Sequence, residues 1–293
     1  METIENQQNQ KLKVYLKIKQ TSAKDTLFFN ISESKKYVTL IEDKRNRNNK
    51  PKASTPDKIN INYDKIFRNE ENSYIYEEIM LNTVKESLQG KNFTFISYGD
   101  SKSEKLDLII GNNDCYDNIA RRGLFPRLLT ALIDLIDSTE DLCNNISISL
   151  SYFVLTDGKI IDLCQLIGLI GKKKKVEKYN KEKFIKEYAK EIKNDSNALK
   201  HIKKLPCENA KDALFMLLQF MNFLDKIGND DDTNMNNEFL QLNYFNTIIY
   251  ITDNNGKNTT LSFIILPCND IIINDKNNYN KNQIGRASCR ERV

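Results

Sequence analysis

The sequence predicts an α/β protein, because segments typical of strands alternate along the chain with segments typical of helices. Residues 11–19 alternate apolar and lysine side chains, which is the pattern of a half-buried strand. Residues 73–88 and 210–227 instead carry apolar side chains at helical spacing. With 293 residues, 40% of them hydrophobic and 29% charged, the chain can form one large domain or two small ones with ample core.

Composition and charge exclude several classes of function. A formal net charge of +4 is too small to indicate a nucleic-acid-binding protein. No apolar run approaches the ~20 residues of a bilayer-spanning helix, and the first residues lack the basic, then apolar pattern of a signal peptide. We therefore expect a cytoplasmic protein with no membrane partner and with its six cysteines reduced. Because the chain has one histidine and no C-x-x-C pair, the sequence predicts no zinc site.

The two ends of the chain differ from the rest. Residues 1–10 are polar, and we expect them to be disordered. Residues 284–293 resemble a translated sequencing adapter, so we exclude them from the fold and expect the natural chain to continue beyond residue 283. The predicted domain covers residues 11–283.

The first part of this domain is predicted to be mostly β structure. After the strand over 11–19, three further strands are expected: 27–31, 37–41 and 59–67. The helix over 73–88 follows them, with Ser73 as its predicted N-cap and Gly90 ending it. Residues 92–98 then favour β structure and fit no helical period, so they predict a buried strand.

The loop after this strand is in partial register with the phosphate-binding pattern G-x-x-x-x-G-K-[ST]. Gly99 and Lys105 occupy the first glycine and the lysine of the pattern. Glu104 replaces the second glycine, and Leu106 replaces the hydroxyl residue that would bind Mg²⁺. Two interpretations of Lys105 stay open: a phosphate contact, or a surface lysine that follows a strand.

The second half of the chain alternates helices and hairpins. We expect a helix over 126–136, a hairpin over 146–163 with its turn at 157–158, and a long helix over 210–227 that Gly228 ends. Two apolar runs, 239–252 and 261–267, predict strands joined by a turn at 253–256.

One strongly basic segment lies between these elements. Residues 172–204 hold thirteen lysines against five acidic residues, a net charge of +8 with histidine neutral. The helical spacing of Phe184, Ile185, Tyr188 and Ile192 predicts an amphipathic helix in part of it. The segment is either a solvated insertion or a basic surface for an acidic partner.

Several stretches, in order and at similar spacing from about residue 12 to residue 270, resemble the kinesin motor domain. The matching stretches, with the family's motifs, are 63–67 and 74–78 (FDxVF and VYEE), 95–99 (IFAYG), 123–127 (GIIPR), 151–163 (SYLEIYNEKIRDLL), 233–236 (TxMN) and 261–270 (LxLVDLAGSE). The resemblance implies an α/β fold with a central mixed, mostly β sheet and helices on both faces, here stopping after the segment called switch II.

The resemblance also implies ligands and partners. In kinesins this site holds ATP and Mg²⁺, and the domain binds microtubules of the cytoskeleton. The phosphate-binding candidates that the resemblance implies are Gly99, Ser101, Ser103 and Lys105. The basic segment falls near the hairpin and loop that touch the acidic microtubule, which makes candidate contacts of Lys172, Lys173, Lys174 and Lys175.

The sequence departs from the family at both switch segments. Residues 239–243 stand where kinesins have SSRSH in switch I, and they contain no serine or arginine. In switch II, Ile265 replaces the aspartate and Cys268 replaces the glycine. Asp270 stands in place of the final glutamate of the motif. Together with the altered loop, these changes predict a degenerate motor domain that binds or scaffolds without hydrolysing ATP. The alternative is an active motor with an atypical nucleotide site.

Overall fold

The computed structural model describes residues 12–18, 29–32, 34, 36–41, 58–99, 103, 105–111, 115–156, 158–167, 181–191, 201–228 and 243–267. The chain divides into two compact units, Met1–Ile75 and Tyr76–Val293. The expectations for residues 1–10 and 284–293 lie outside the described residues.

In the described part of the first unit there are five short strands. They are β1 (Tyr15–Ile18), β2 (Phe29–Ile31), β3 (Tyr37–Ile41), β4 (Lys58–Asn62) and β5 (Lys65–Arg68). β2, β3 and β4 form an antiparallel sheet, whereas β1 and β5 pair in parallel. The predicted strand over 11–19 is shorter than expected, because its pairing with β5 starts at Tyr15 and Leu12 is 80% exposed.

The prediction of one strand over 59–67 is wrong, because the chain changes strand partner at Asp64. The Asp64 carboxylate accepts a hydrogen bond from the Val14 amide (2.7 Å), and the Asp64 amide donates to the Val14 carbonyl (2.8 Å). These bonds end the pairing of β4 with β3 and place β5 beside β1.

Helix α1 (Asn72–Leu88) begins in the first unit and continues into the second. Ser73 lies inside its first turn and donates its hydroxyl to the Glu71 carboxylate at 3.5 Å, so the prediction that Ser73 is the N-cap is wrong. The predicted end at Gly90 is confirmed. Gly90 has φ 94°, its amide donates to the Ser87 carbonyl, and the next amide, of Lys91, donates to the Glu86 carbonyl. This is the Schellman arrangement, which requires a left-handed residue.

The second unit contains seven more strands and five more α-helices among the described residues. They are β6 (Phe93–Ser97), α2 (Lys105–Ile109), α3 (Leu124–Asp137), α4 (Glu140–Asn145), β7 (Ile146–Thr156), β8 (Lys159–Asp162), α5 (Lys181–Tyr188), β9 (Lys190–Glu191), β10 (Leu205–Pro206), α6 (Ala210–Gly228), β11 (Tyr244–Asp253) and β12 (Asn258–Ile265).

These strands form one mixed sheet in the order β6-β12-β11-β7-β8-β9, and β10 also pairs with β7. β6 and β12 are parallel, whereas the other pairs are antiparallel. The predicted α/β class, with a mixed and mostly β sheet flanked by helices, is therefore confirmed. The predicted helices around α3 and α6 and the hairpin β7–β8 are present, and the last two strands form a hairpin whose second strand begins earlier than expected.

Aromatic side chains pack α3 and α6 on one face of the sheet. Phe125 of α3 contacts Tyr152 of β7 and Phe263 of β12, with ring centroids 6.4 and 5.4 Å apart. Phe220 of α6 contacts the same Tyr152 ring at 5.3 Å. All four side chains are almost fully buried, and each contributes on the order of 1.5–3 kcal/mol to stability. This packing fixes the position of the sheet strands that carry the site.

Part of the basic segment is helical, as its spacing predicts. Helix α5 has half-buried Ile185 and Tyr188, whereas Lys186 and Glu187 are exposed. Residues 168–180 and 192–200 lie outside the described residues, and so do the four lysines at 172–175 and Ile192.

Candidate functional site

The candidate site lies at the carboxyl ends of β6 and β12. These two strands are adjacent and parallel, with Ser97 opposite Ile265, and the Leu266 amide extends the pairing by donating to the Ser97 carbonyl at 3.0 Å. The loop after β6 leads into α2 at Lys105. Loops that follow the carboxyl ends of parallel strands are the usual place for ligands in α/β proteins.

Lys105 is buried, with 6% of its surface exposed. Its ammonium donates to the carbonyl of Gly99 at 3.0 Å and to the carbonyl of Leu266 at 2.6 Å. The interpretation of Lys105 as a surface lysine is therefore wrong, because backbone carbonyls beyond the ends of two strands draw the ammonium inward. The interpretation as a phosphate contact stays a prediction.

Gly99 also lies very close to Ser103. A Cβ atom at this position would lie 2.2 Å from Oγ of Ser103, so the glycine is needed for the close approach of the two residues. Ser103 itself is exposed, and Ser101 lies outside the described residues. The structure thus places Gly99 next to both Ser103 and the ammonium of Lys105.

Several features of the described residues bear on whether this site could hold a magnesium triphosphate. The lysine that would contact phosphate already donates to two carbonyls, and Ile265, 1% exposed, ends β12 where the family resemblance implies an aspartate. Helix α2 has only five residues and carries Asp107 in its first turn, where an acidic side chain opposes a bound anion. Among the described residues, no group of three or more histidine, cysteine, aspartate or glutamate side chains could hold a metal ion.

Two of the described thiols are also poor candidates for nucleophiles. Burial raises the pKa of Cys164 to about 12 and the pKa of Cys207 to about 11. Both thiols therefore remain protonated near neutral pH, whereas covalent chemistry requires the thiolate. Among the described residues, Cys115, Cys143, Cys164 and Cys207 form no disulfide.

Most of the predicted switch residues lie outside the described residues, and one residue of the site was not predicted. Of the switch I positions only Asn243 is described, where it is buried, and Cys268 and Asp270 are not described. Sequence reasoning missed Leu266, because it contributes a backbone carbonyl and any residue could do so.

Comparisons with known proteins identify the family of this chain. A family model described as the kinesin motor domain matches residues 5–238, well over half of the chain. The chain belongs to the kinesin motor domain family. The resemblance given by its motifs is thereby confirmed.

A solved structure shows the same fold. It is that of a fast kinesin, described for its ATPase mechanism and its interactions with microtubules, and it is 16% identical with a TM-score of 0.58. The alignment covers 88% of this chain and 65% of that chain, so this chain spans just under two thirds of the known kinesin. A search of curated proteins gave no match. In the part of the chain that is described, no helix is long and apolar enough to cross a membrane.

Proposed function

We propose that this kinesin motor domain is a microtubule-binding scaffold that does not hydrolyse ATP. The observation that carries the proposal is the position of Lys105, whose ammonium is bound by the carbonyls of Gly99 and Leu266. Gly99, Ser101, Ser103 and Lys105 are accordingly the remains of a phosphate loop.

The chemistry of phosphoryl transfer supports the absence of hydrolysis. Catalysis in such sites consists of positioning and of stabilising charge on the transferred phosphoryl group and its Mg²⁺. Here Glu104 replaces the inner glycine, and Leu106 replaces the residue whose hydroxyl would bind Mg²⁺. Strand β12 ends in Ile265 in place of the aspartate. Losing one such charge contact costs a factor of about 10²–10³ in rate, so the loss of several abolishes turnover.

Family membership and charge support microtubule binding. The fast kinesin of similar fold is described for its interactions with microtubules. The segment 172–204 is positively charged, because it contains thirteen lysines and five acidic residues. An acidic tubulin surface attracts a positive charge. We assign the contact to Lys172, Lys173, Lys174 and Lys175, and the location to the cytoplasmic cytoskeleton.

One observation favours an active motor as the second candidate. Gly99 and Lys105 are in register with a phosphate loop, and Lys105 begins a helix beside the parallel pair β6–β12. In that candidate, nucleotide would displace the two carbonyls from the ammonium.

Calorimetric titration of residues 1–283 with Mg-ATP separates the two candidates. We expect no saturable binding below about 1 mM, which corresponds to a binding free energy no more favourable than about −4 kcal/mol. A conventional kinesin motor domain titrated in the same buffer is the control. Saturable binding in the micromolar range contradicts the scaffold proposal and supports the active motor.

A further inference from the structure

The turn between β11 and β12 contains the only Asn-Gly dipeptide of the sequence, formed by Asn255 and Gly256. This pair is typical of a tight hairpin turn, because both residue types tolerate a left-handed backbone. Gly256 has φ 77°, and its amide donates to the Asp253 carbonyl at 2.9 Å, which closes the turn. The same pair is chemically labile, because asparagine is thermolabile and a following glycine does not shield the backbone nitrogen with a side chain.

Both residues of the pair are exposed to solvent. The backbone of Asn255 is held, since its amide donates to Oδ1 of Asp253 at 3.0 Å. Its side-chain amide, in contrast, makes no hydrogen bond to any residue that the structure describes. A Cβ atom on Gly256 would meet nothing within 4 Å, so the space beside this glycine is open to the Asn255 side chain.

Two neighbouring asparagines have side chains that are held by hydrogen bonds. The side chain of Asn254 donates to the Asn144 carbonyl and to Oδ1 of Asn145. The side chain of Asn258 accepts from the Thr252 hydroxyl at 2.7 Å. Because these bonds must break before either side chain can turn towards its own backbone, Asn254 and Asn258 are internal controls for Asn255.

We propose that Asn255 is a site of spontaneous deamidation, with water as the co-reactant. The Gly256 nitrogen loses its proton to solvent and attacks Cγ of Asn255. The bond from Cγ to Nδ2 breaks, and the side-chain nitrogen takes up a proton from solvent and leaves as ammonia. Water then opens the cyclic imide at either carbonyl, which gives aspartate or isoaspartate, and no oxidant or reductant takes part. Both products add one negative charge, and isoaspartate also adds a carbon atom to the main chain.

The modification acts on the bonds that hold the turn. The Asp253 carboxylate accepts hydrogen bonds from the amides of Asn255 and Lys257, at 3.0 and 2.9 Å. A new carboxylate at position 255 repels the carboxylate of Asp253, and the longer main chain of isoaspartate moves both amides away from it. The turn therefore loosens, whereas the pairing of β11 with β12 beyond it is kept.

The test ages the full chain at physiological temperature and pH and maps its peptides by mass spectrometry. We expect a mass gain of about 1 Da at Asn255. Its rate should be about tenfold or more above the rates at Asn254 and Asn258, whose side chains must first break hydrogen bonds. The rate should also rise with pH, because the attacking nitrogen has to lose a proton. No mass gain at Asn255, or equal rates at the three asparagines, overturns the proposal.

Amide hydrogen exchange of the aged protein tests the effect on the turn. We expect residues 255–257 to exchange about tenfold faster or more than in fresh protein. The matched variant is Asn255→Gln, whose longer side chain forms the corresponding ring much more slowly, so its aged and fresh samples should exchange alike. Unchanged exchange in a sample that carries the mass gain contradicts the loosening of the turn. These measurements involve neither ATP nor microtubules, so their outcome is independent of the proposed function.

Discussion

Two buried charged side chains, Lys105 and Asp162, each connect segments that are far apart in the sequence. Lys105 joins the ends of β6 and β12. Asp162, at the end of β8, accepts hydrogen bonds from the amides of Cys164 (3.0 Å) and Lys203 (2.8 Å) and from the side chain of Gln165 (2.8 Å). Because a buried charge is costly without partners, both side chains stabilise the fold only while these bonds are intact.

At the residue scale, we predict that Asp162→Ala lowers the free energy of unfolding by about 3 kcal/mol, since it removes the acceptor that the buried Asp162 carboxylate offers to the amides of Cys164 and Lys203. Urea unfolding measures the change. Asp134→Ala on the exposed side of α3 is the matched control, with an expected change within about 0.5 kcal/mol. Equal losses in the two variants would contradict the assigned role of Asp162.

Sequence alone could indicate Lys105 and Gly99, but not Asp162 or the backbone groups of Leu266 and Lys203. Lys105 and Gly99 are visible because a phosphate loop requires those residue types at that spacing. Leu266 and Lys203 act through backbone groups, which every residue has, so their roles depend on how the chain folds. The burial of Lys105 follows from these carbonyls and was therefore not predictable from its neighbours in the sequence.

Among the elements, α2 and α3 depend on a close approach at Gly123. The Gly123 amide donates to the Ile110 carbonyl at 3.0 Å, and a Cβ at this position would lie 2.4 Å from the Ile109 carbonyl carbon. The atoms in the way belong to the backbone, so they cannot move aside as a flexible side chain can.

We predict that Gly123→Ala lowers the free energy of unfolding by about 3 kcal/mol or more, because the backbone of α2 or α3 has to shift. Gly256→Ala is the control. Gly256 has φ 77° but open space around its Cα, so only the left-handed conformation is penalised, by about 1 kcal/mol. Thermal or urea unfolding compares the two, and a smaller effect at Gly123 than at Gly256 would show that the close approach is unimportant.

Helices and strands were predictable from the sequence where a single hydrophobic periodicity extends over a single element. The apolar stripes of α3 and α6 repeat at helical spacing and mark those helices closely. The run over 59–67 carries a strand pattern throughout, yet Asp64 divides it into β4 and β5, which have different partners. Which partner a strand takes is a tertiary property, so the local pattern could not reveal the division.

For the whole molecule, we predict that binding to microtubules is mainly electrostatic. Replacing Lys172, Lys173, Lys174 and Lys175 by Glu changes the charge of the basic segment by −8, since each substitution removes one positive charge and adds a negative one. Co-sedimentation of residues 1–283 with microtubules should then fall at low salt. Binding of the unsubstituted protein should weaken as salt shortens the Debye length from ~10 Å at 0.1 M.

The control for this variant is an equal change of charge elsewhere. Lys13, Lys36, Lys85 and Lys91 are all exposed, and their replacement by Glu should weaken binding much less if the contact is local. Equal losses in the two variants would indicate attraction by net charge only. Unchanged binding in the first variant would leave segment 172–204 as a solvated insertion.

The central claim is that this kinesin motor domain works without ATP hydrolysis, and ATP turnover in the presence of microtubules tests it most directly. Phosphate release from Mg-ATP is measured with residues 1–283 at saturating microtubules, with a conventional kinesin motor domain in parallel. Because Lys105 is bound by carbonyls and β12 ends in Ile265, we predict no turnover above the microtubule blank and no release from microtubules by ATP. Microtubule-stimulated turnover, or release by ATP, would contradict the claim and identify an active motor.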